Sequence, residues 1–309
     1  MNRPICVMLV GLPGSGKSTI AKEYAITYNA NIHSSDSIRE ELSGNINNQD
    51  INDLVFQTLH NRIKEDLLNG KSCIYDACNI SYKRRMAFVQ ELNKIPCMKF
   101  CVLVATPYEQ CLINNTSRDR TIPEHVIERM YRQFDPPYWY EGWDDITVEY
   151  SNDRPLLDVK DWLKSVKDYN QDNSHHKLTL GEHCTRAVEY LHSYVDKDNN
   201  TINIPSYDLV YATALHDCGK PFCKTFKNTK GEITEQGHYY NHEHTGSYDS
   251  LFYIVPNALY VSVLIRWHMQ PYVWEKDNNE KLHNKYRKLW GEQLYKDIMQ
   301  LHEADKAAH

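Results

Sequence analysis

The residues best suited to chemistry open the chain. Gly11-Leu12-Pro13-Gly14-Ser15-Gly16-Lys17-Ser18-Thr19 fits G-x-x-x-x-G-K-[ST], and it lies between an apolar run, Ile5 to Val10, and an amphipathic stretch, Lys17 to Tyr28. In that context the glycines let main-chain N–H groups converge on phosphate oxygens, and the positive end of a helix adds to their field. Lys17 then reaches the outer phosphates and Ser18 ligates Mg²⁺. The expected cofactor is ATP, or another nucleoside triphosphate, with Mg²⁺, bound by Gly11, Gly14, Ser15, Gly16, Lys17, Ser18 and Thr19.

What receives the phosphoryl group is set further along. Asp36 and Arg39 are three apart at the start of a helix, which puts both on one face. A carboxylate there can take a proton from an attacking hydroxyl, while the guanidinium clamps a phosphate of the acceptor. The same segment also reads as a capping box from Ser37 to Glu40, with Asp36 complementing the helix dipole. A third β-like run ends in Asp76-Ala77-Cys78-Asn79, followed by Lys83-Arg84-Arg85. A carboxylate at the C-terminal end of an interior strand stands beside the phosphate loop, so Asp76 is expected to hold Mg²⁺ through water or to bind the acceptor. Asn79 and Arg84 are candidates for the same acceptor, although Lys83 to Arg85 also reads as a solvated helix face. Arg118 and Arg120 lie in Asn114 to Ile122, where a mobile segment can close over the nucleotide and stabilise the transferring charge.

Together these residues resemble the 5′-hydroxyl polynucleotide kinase family, whose best-known members are bacteriophage end-healing enzymes. The resemblance covers about residues 4 to 150 and includes Arg129-Met130-Tyr131 and Glu141-Gly142-Trp143-Asp144. It implies that Lys17 and the lid arginines, Arg118 or Arg120, act on the nucleotide, that Asp36 is the general base, and that Arg39 contacts the acceptor's 3′ phosphate. Gluconate and nucleoside kinases share the loop and remain competitors.

The second chemical group is a set of histidines, twelve of the 15 lying beyond residue 174. One histidine on an apolar helix is ordinarily a satisfied core residue. The ordered set His183, His216-Asp217, His242, His268 and Asp305 resembles the HD phosphohydrolase superfamily over about residues 174 to 309. Ser174 stands where a proline is common and Cys218 where an aliphatic residue is usual, and neither is a presumed ligand. The resemblance implies that His183, His216, Asp217 and Asp305 hold one metal, with His242 and His268 available for a second. Lys220 follows Asp217 by about one helical turn, so it faces the same site and can bind a substrate phosphate. Imidazole and carboxylate ligands at an open site suit Mn²⁺, Fe²⁺, Ni²⁺ or Co²⁺, with Mg²⁺ also in range, and such metals serve hydrolysis at phosphorus.

The elements that must position these groups change character along the chain. From residue 4 to 150, runs at Ile5 to Val10, Asn31 to Ser34, Ser72 to Tyr75, Phe100 to Ala105 and Ile146 to Glu149 alternate with helical stretches at Lys17 to Tyr28, Asp50 to Leu68, Tyr82 to Leu92 and Pro123 to Phe134. That is the pattern of an α/β domain with a parallel sheet of about five strands. Beyond Tyr150 the periodicity becomes helical, so an all-α domain is expected. The expected organisation is a kinase domain over 1–155, a linker over 156–173 and an HD phosphohydrolase domain over 174–309.

Composition narrows the partners. The chain has 309 residues, a formal charge of −6 and a basic excess in neither half, which excludes a protein that coats nucleic acid by neutralising many phosphates. Nine cysteines without a Cys-x-x-Cys pair argue against a disulfide framework or a zinc ribbon. The apolar runs are too short to span a membrane and the first residues lack a cleavable leader, so a cytoplasmic protein of a bacterial or phage-infected cell is expected. One half adds phosphate and the other removes it. Broken RNA or tRNA carrying a 5′-hydroxyl and a 2′,3′-cyclic phosphate needs both, so the expected function is bifunctional end healing upstream of an RNA ligase. The alternatives are a nucleoside kinase fused to a nucleotide phosphohydrolase, or a kinase regulated by a nucleotide-sensing HD module. A homo-oligomer is left open.

Overall fold

The computed structural model describes residues 3–117, 120–151, 154–173, 177–193, 195–196, 201–202, 204–277 and 279–309. Its contacts divide the chain into two units, Met1–Met130 with Pro137–Arg154, and Tyr131–Pro136 with Pro155–His309.

The first unit carries β1 (Ile5–Val10), β2 (Asn31–Ser34), β3 (Cys73–Asp76), β4 (Met98–Ala105) and β5 (Asp145–Tyr150), each within a residue or two of its expected run. All pair in parallel in the order β2-β3-β1-β4-β5. Central β1 buries Cys6, Val7, Met8, Leu9 and Val10, as a strand covered on both faces requires. Because β2 and β3 lie to one side of β1 and β4 and β5 to the other, a crevice opens at the carboxyl end of β1. The phosphate loop follows β1 there, and Asp76 ends the neighbouring β3.

The helices of this unit are α1 (Lys17–Tyr28), α2 (Ser35–Ser43), α3 (Asn52–Leu68), α4 (Tyr82–Leu92), α5 (Tyr108–Thr116) and α6 (Glu124–Tyr131). In α3 the buried residues are Val55, Leu59, Ile63 and Leu67, a single stripe four apart. Helix α5 takes up the start of the stretch expected to be a mobile lid, and α6 stops at Tyr131, short of Phe134. Lys83 and Arg84 are exposed, but the solvated-face expectation fails for Arg85. That side chain is fully buried, with Nε and Nη2 donating to Glu141 at 2.8 and 2.7 Å and Nη1 donating to the Asn79 carbonyl at 2.8 Å.

The second unit is mainly helical, with α7 (Val159–Ser165), α8 (Leu180–Ser193), α9 (Tyr207–Leu215), α10 (Lys220–Cys223), α11 (His242–Asp249), α12 (Ala258–Trp267), α13 (Gln270–Asp277), α14 (Glu280–Trp290) and α15 (Glu292–Ala307). Helices α8, α9, α12 and α15 pack together around its core. It is not all-α. Two hairpins, β6 (Val195–Asp196) with β7 (Thr201–Ile202) and β8 (Thr225–Lys227) with β9 (Ile233–His238), interrupt the helices. In the second, Asn228 Oδ1 accepts from the main chain of Lys230 and Glu232, and Gly231 at φ 83° closes the turn, so local turn chemistry rather than an apolar alternation makes the strands. The stretch 156–173 expected to be a linker carries α7, capped by Asp158, whose Trp162 and Leu163 pack on Val166, Leu180 and Cys184. None of the nine cysteines is in a disulfide, and every one except Cys78 is buried.

Candidate functional sites

The phosphate loop is held open by its neighbours. Gly14 and Gly16 adopt φ of 83° and 93°, and a Cβ on Gly14 would meet the Cys111 carbonyl oxygen at 2.2 Å. Only glycine fits that position. Asn114 Nδ2 donates to the Gly14 carbonyl at 2.9 Å, and Thr106 Oγ1 donates to that of Ser15 at 2.9 Å. Lys17 is buried in the loop, with Nζ donating to the Leu12 carbonyl at 2.7 Å, from where it can turn to a phosphate. Ser18 Oγ donates to Asp76 Oδ2 at 3.0 Å, which brings together two oxygen donors of the kind Mg²⁺ takes.

Asp36 stands between two guanidinium groups. Arg39 Nη1 lies 2.9 Å and Arg120 Nη1 2.6 Å from Asp36 Oδ1. Each arginine is steadied by an asparagine that the sequence did not single out: Arg39 Nη2 donates to Asn52 Oδ1 at 2.8 Å, and Arg120 Nε to Asn47 Oδ1 at 2.9 Å. The capping box read from Ser37 to Glu40 is not formed, because α2 starts at Ser35, two residues before Ser37, without a side-chain cap, but Asp36 does lie in the first turn, where a carboxylate complements the helix dipole. Arg39 is buried, whereas the Asp36 side chain is 35% exposed and can meet an acceptor.

In the second unit four imidazoles and two carboxylates converge. His183 Nε2 lies 3.1 Å from Asp305 Oδ1 and 3.4 Å from Asp217 Oδ2, and His216 Nε2 lies 3.3 Å from Asp217 Oδ2. The other Asp217 oxygen, Oδ1, lies 3.3 Å from His242 Nε2, which is 3.2 Å from His268 Nε2. Asp217 therefore joins two candidate metal groups, one with His183 and His216 and one with His242 and His268. Every ring is fixed from behind: the Nδ1 atoms of His183, His216, His242 and His268 face the carbonyls of Ala308, Thr213, Tyr239 and Ile265 at 3.3, 2.7, 2.8 and 2.6 Å. A ring nitrogen facing a carbonyl must carry the proton, which leaves each Nε2 as the ligand atom.

Charge within this group is uneven. Burial alone would raise Asp217, but Lys220 and His216 outweigh it and hold the carboxyl well below the usual carboxylate range. Asp305 is held down in the same way, by His183 and His216 against its burial. Burial works against charge on His216, yet Asp217 and Asp305 raise it to about 10. Burial, then the neighbouring His242 and His216, push His268 down to about 3. The donor set fits divalent metal on its chemistry: anionic carboxylates and oriented imidazoles converge where apolar packing would otherwise be expected.

Residues 6–137 match the family described as AAA domain. Among curated proteins the chain is similar to the L-seryl-tRNA(Sec) kinase of Methanococcus maripaludis, 27% identical over 175 residues, which is 54% of this chain and 67% of that protein. The first unit is a P-loop kinase domain. Solved structures similar to the chain include a putative kinase from Chloroflexus aurantiacus, with a TM-score of 0.41 and 16% identity over 48% of this chain and 89% of that one. A second is the Pnkp1/Rnl/Hen1 RNA repair complex, with a TM-score of 0.37 and 21% identity over 43% of this chain and 44% of that one. A third is a gluconokinase from Sinorhizobium meliloti, with a TM-score of 0.35 and 12% identity over 49% and 85%.

Within the kinase domain, Gly11, Gly14, Ser15, Gly16, Lys17, Ser18 and Thr19 form the loop, while Asp36, Arg39 and Arg120 make one ion-paired group. Arg120, expected over the nucleotide, pairs here with Asp36, and Arg118 lies outside the described residues. Asn79 is tied to the main chain, its Nδ2 donating to the Leu9 carbonyl at 2.9 Å. In the second unit, His216 and Asp217 follow the end of α9 in a turn rather than a continuous helix. Lys220, at the start of α10, still reaches Asp217 Oδ2 at 2.7 Å and donates to Gln171 Oε1 at 2.8 Å. Tyr272, whose Oη donates to Asp305 Oδ2 at 3.0 Å, and His309, with Nε2 3.5 Å from Asp305 Oδ1, were not anticipated. Tyr272 carries no spacing signal, because it meets the site only through folding, whereas His309 stands four residues after Asp305, the spacing that brings two side chains together on one helix face.

Proposed function

We propose that the chain heals broken nucleic-acid ends, RNA above all, by phosphorylating a 5′-hydroxyl and removing a 2′,3′-cyclic or terminal 2′ or 3′ phosphate. The observation that carries the kinase half is the reachable Asp36 carboxylate held between Arg39 and Arg120. An acceptor bringing its own phosphate can take a guanidinium from Asp36 and leave the carboxylate free to act as base. Lys17 then steadies the γ-phosphate while the acceptor oxygen bonds to its phosphorus. The bond to the β-phosphate oxygen breaks, and the hydroxyl proton passes to Asp36. Ser18 and Asp76 would hold Mg²⁺, which when bound offsets the phosphate charge. Similarity to a kinase named for seryl-tRNA supports an acceptor hydroxyl carried on RNA.

The second unit, in this proposal, is an HD-type phosphohydrolase. His183, His216, Asp217 and Asp305 would hold one divalent ion, and His242, His268 and the second oxygen of Asp217 another. When bound, the metal supplies Lewis acidity at a phosphoryl oxygen. Lys220 adds a fixed positive charge beside Asp217 for the substrate phosphate. The products, a 5′-phosphate and a 3′-hydroxyl, are what an RNA ligase joins.

The test is incubation with γ-labelled ATP and a short 5′-hydroxyl RNA, followed by end-group analysis of RNA ending in 2′,3′-cyclic phosphate. Lys17→Ala and Asp36→Ala should each abolish transfer, and Asp217→Ala should abolish hydrolysis alone. Transfer retained by Asp36→Ala would mean that Asp36 is not the base, and transfer made as readily to nucleosides would shift the assignment to a small-molecule kinase. No hydrolysis with Mn²⁺, Ni²⁺, Co²⁺ or Mg²⁺ would make the second unit a regulatory module.

A further inference from the structure

Between Lys220 and His242, both part of the candidate metal centre, the chain leaves and returns through the β8–β9 hairpin. Rings and ammonium groups alternate along its route. Lys220 Nζ lies 2.7 Å from Asp217 Oδ2 and 5.5 Å from the centre of the Tyr239 ring, whose Oη donates to the Gln171 carbonyl. Lys224 Nζ lies 4.8 Å from the ring centre of Tyr169 and 5.7 Å from that of Phe226. Exposure rises along this track, from 4% at Lys220 to 43% at Phe226.

The charge of Lys224 is answered by Asp172 at 2.5 Å, so the outer end offers aromatic surface more than net charge. An exposed phenylalanine on a three-residue strand gains little from burial, and its position instead suits a flat ligand. Resting on the phosphohydrolase proposal, we infer that Tyr169, Lys224 and Phe226 form a subsite for the nucleotides next to the terminal phosphate of single-stranded RNA. A base stacks at Phe226 while Lys220 faces the terminal phosphate. Stacking accepts any base, which suits an enzyme that meets ends of arbitrary sequence. A mononucleotide, whose only phosphate sits at the metal centre, has no neighbouring base to place there.

The experiment uses the full chain with three proteins, the unaltered one, Phe226→Leu and Phe226→Trp. Hydrolysis of an oligoribonucleotide with a 2′,3′-cyclic end is compared with that of 2′,3′-cyclic AMP. Affinity for an oligoribonucleotide blocked at its 5′ end by a fluorophore is measured in parallel without added metal. Phe226→Leu should raise KM and Kd for the oligonucleotide by about ten-fold, with its kcat and the hydrolysis of 2′,3′-cyclic AMP unchanged. Phe226→Trp should restore both. Unchanged oligonucleotide KM and Kd in Phe226→Leu would overturn the subsite while leaving the phosphohydrolase intact. Equal losses on both substrates would overturn it too, by making Phe226 a structural residue. Binding that depends on Phe226 in a protein that hydrolyses neither substrate would support the subsite and sink the phosphohydrolase.

Discussion

Asp36 owes its position to groups on three separate segments. Arg39 comes from its own helix and Arg120 from beyond α5, and Asn52 and Asn47 hold those two guanidiniums from the residues around the start of α3. If Arg39 binds the acceptor phosphate, Asn52 acts by positioning it. A hydrogen bond to a charged group contributes about 1.5–3 kcal/mol, so Asn52→Ala should raise the acceptor KM by roughly ten-fold or more. The KM for ATP should stay where it is, and steady-state kinetics with each substrate varied in turn reads both. A shift confined to ATP would remove Arg39 from the acceptor side. Lys17, Ser18, Asp36 and Asp76 were legible in the sequence because their chemistry depends on fixed spacing or on a strand end. Asn47 and Asn52 were not, since asparagines in this loop also make turns: Asn45 Oδ1 accepts from the Asn47 main chain at 2.9 Å and Asn48 Oδ1 from Asp50 at 3.1 Å.

At the scale of elements, the five strands announced themselves as short β-rich runs, although only Ile32 is apolar in β2, but α5, α7 and the short hairpins did not. Tyr108–Thr116 mixes polar and apolar residues without a clear stripe, and its first structural duty is to support the phosphate loop. The Cys111 carbonyl abuts Gly14, and Asn114 bonds to the Gly14 main chain. Gly14→Ala must therefore move either the loop or the helix, and ATP affinity should fall by well over ten-fold. Asn114→Ala removes one neutral hydrogen bond to the loop, along with the one that its Oδ1 accepts from Gln110 within α5, and the lost loop bond should cost about 1 kcal/mol or roughly five-fold in ATP affinity. Calorimetric titration with a non-hydrolysable ATP analogue gives both values. Equal affinities for Gly14→Ala and the unaltered chain would mean that the loop does not keep this conformation when it binds phosphate.

At the scale of the whole molecule, the two candidate sites share no residue and differ in donor chemistry. Ser18 and Asp76 offer oxygen alone, whereas the second unit offers four imidazoles with Asp217 and Asp305. Hard oxygen donors suit Mg²⁺, which keeps much of its water and exchanges readily, while imidazole favours Mn²⁺, Fe²⁺, Co²⁺ or Ni²⁺. Stripping the protein with a chelator and then removing the chelator should therefore silence both reactions. Added Mg²⁺ should bring back the 5′-kinase fully and the phosphohydrolase weakly. Mn²⁺, Co²⁺ or Ni²⁺ should then restore hydrolysis of a 2′,3′-cyclic end in the unaltered protein but not in Asp217→Ala, because that carboxylate touches both metal groups. Metal analysis after gel filtration provides a readout independent of turnover: the unaltered chain should retain transition metal, and Asp217→Ala should retain little. Equal retention by the two proteins would place the metal elsewhere in the molecule. Full recovery of both reactions by Mg²⁺ alone would show that the imidazole cluster does not select the metal its ligands favour.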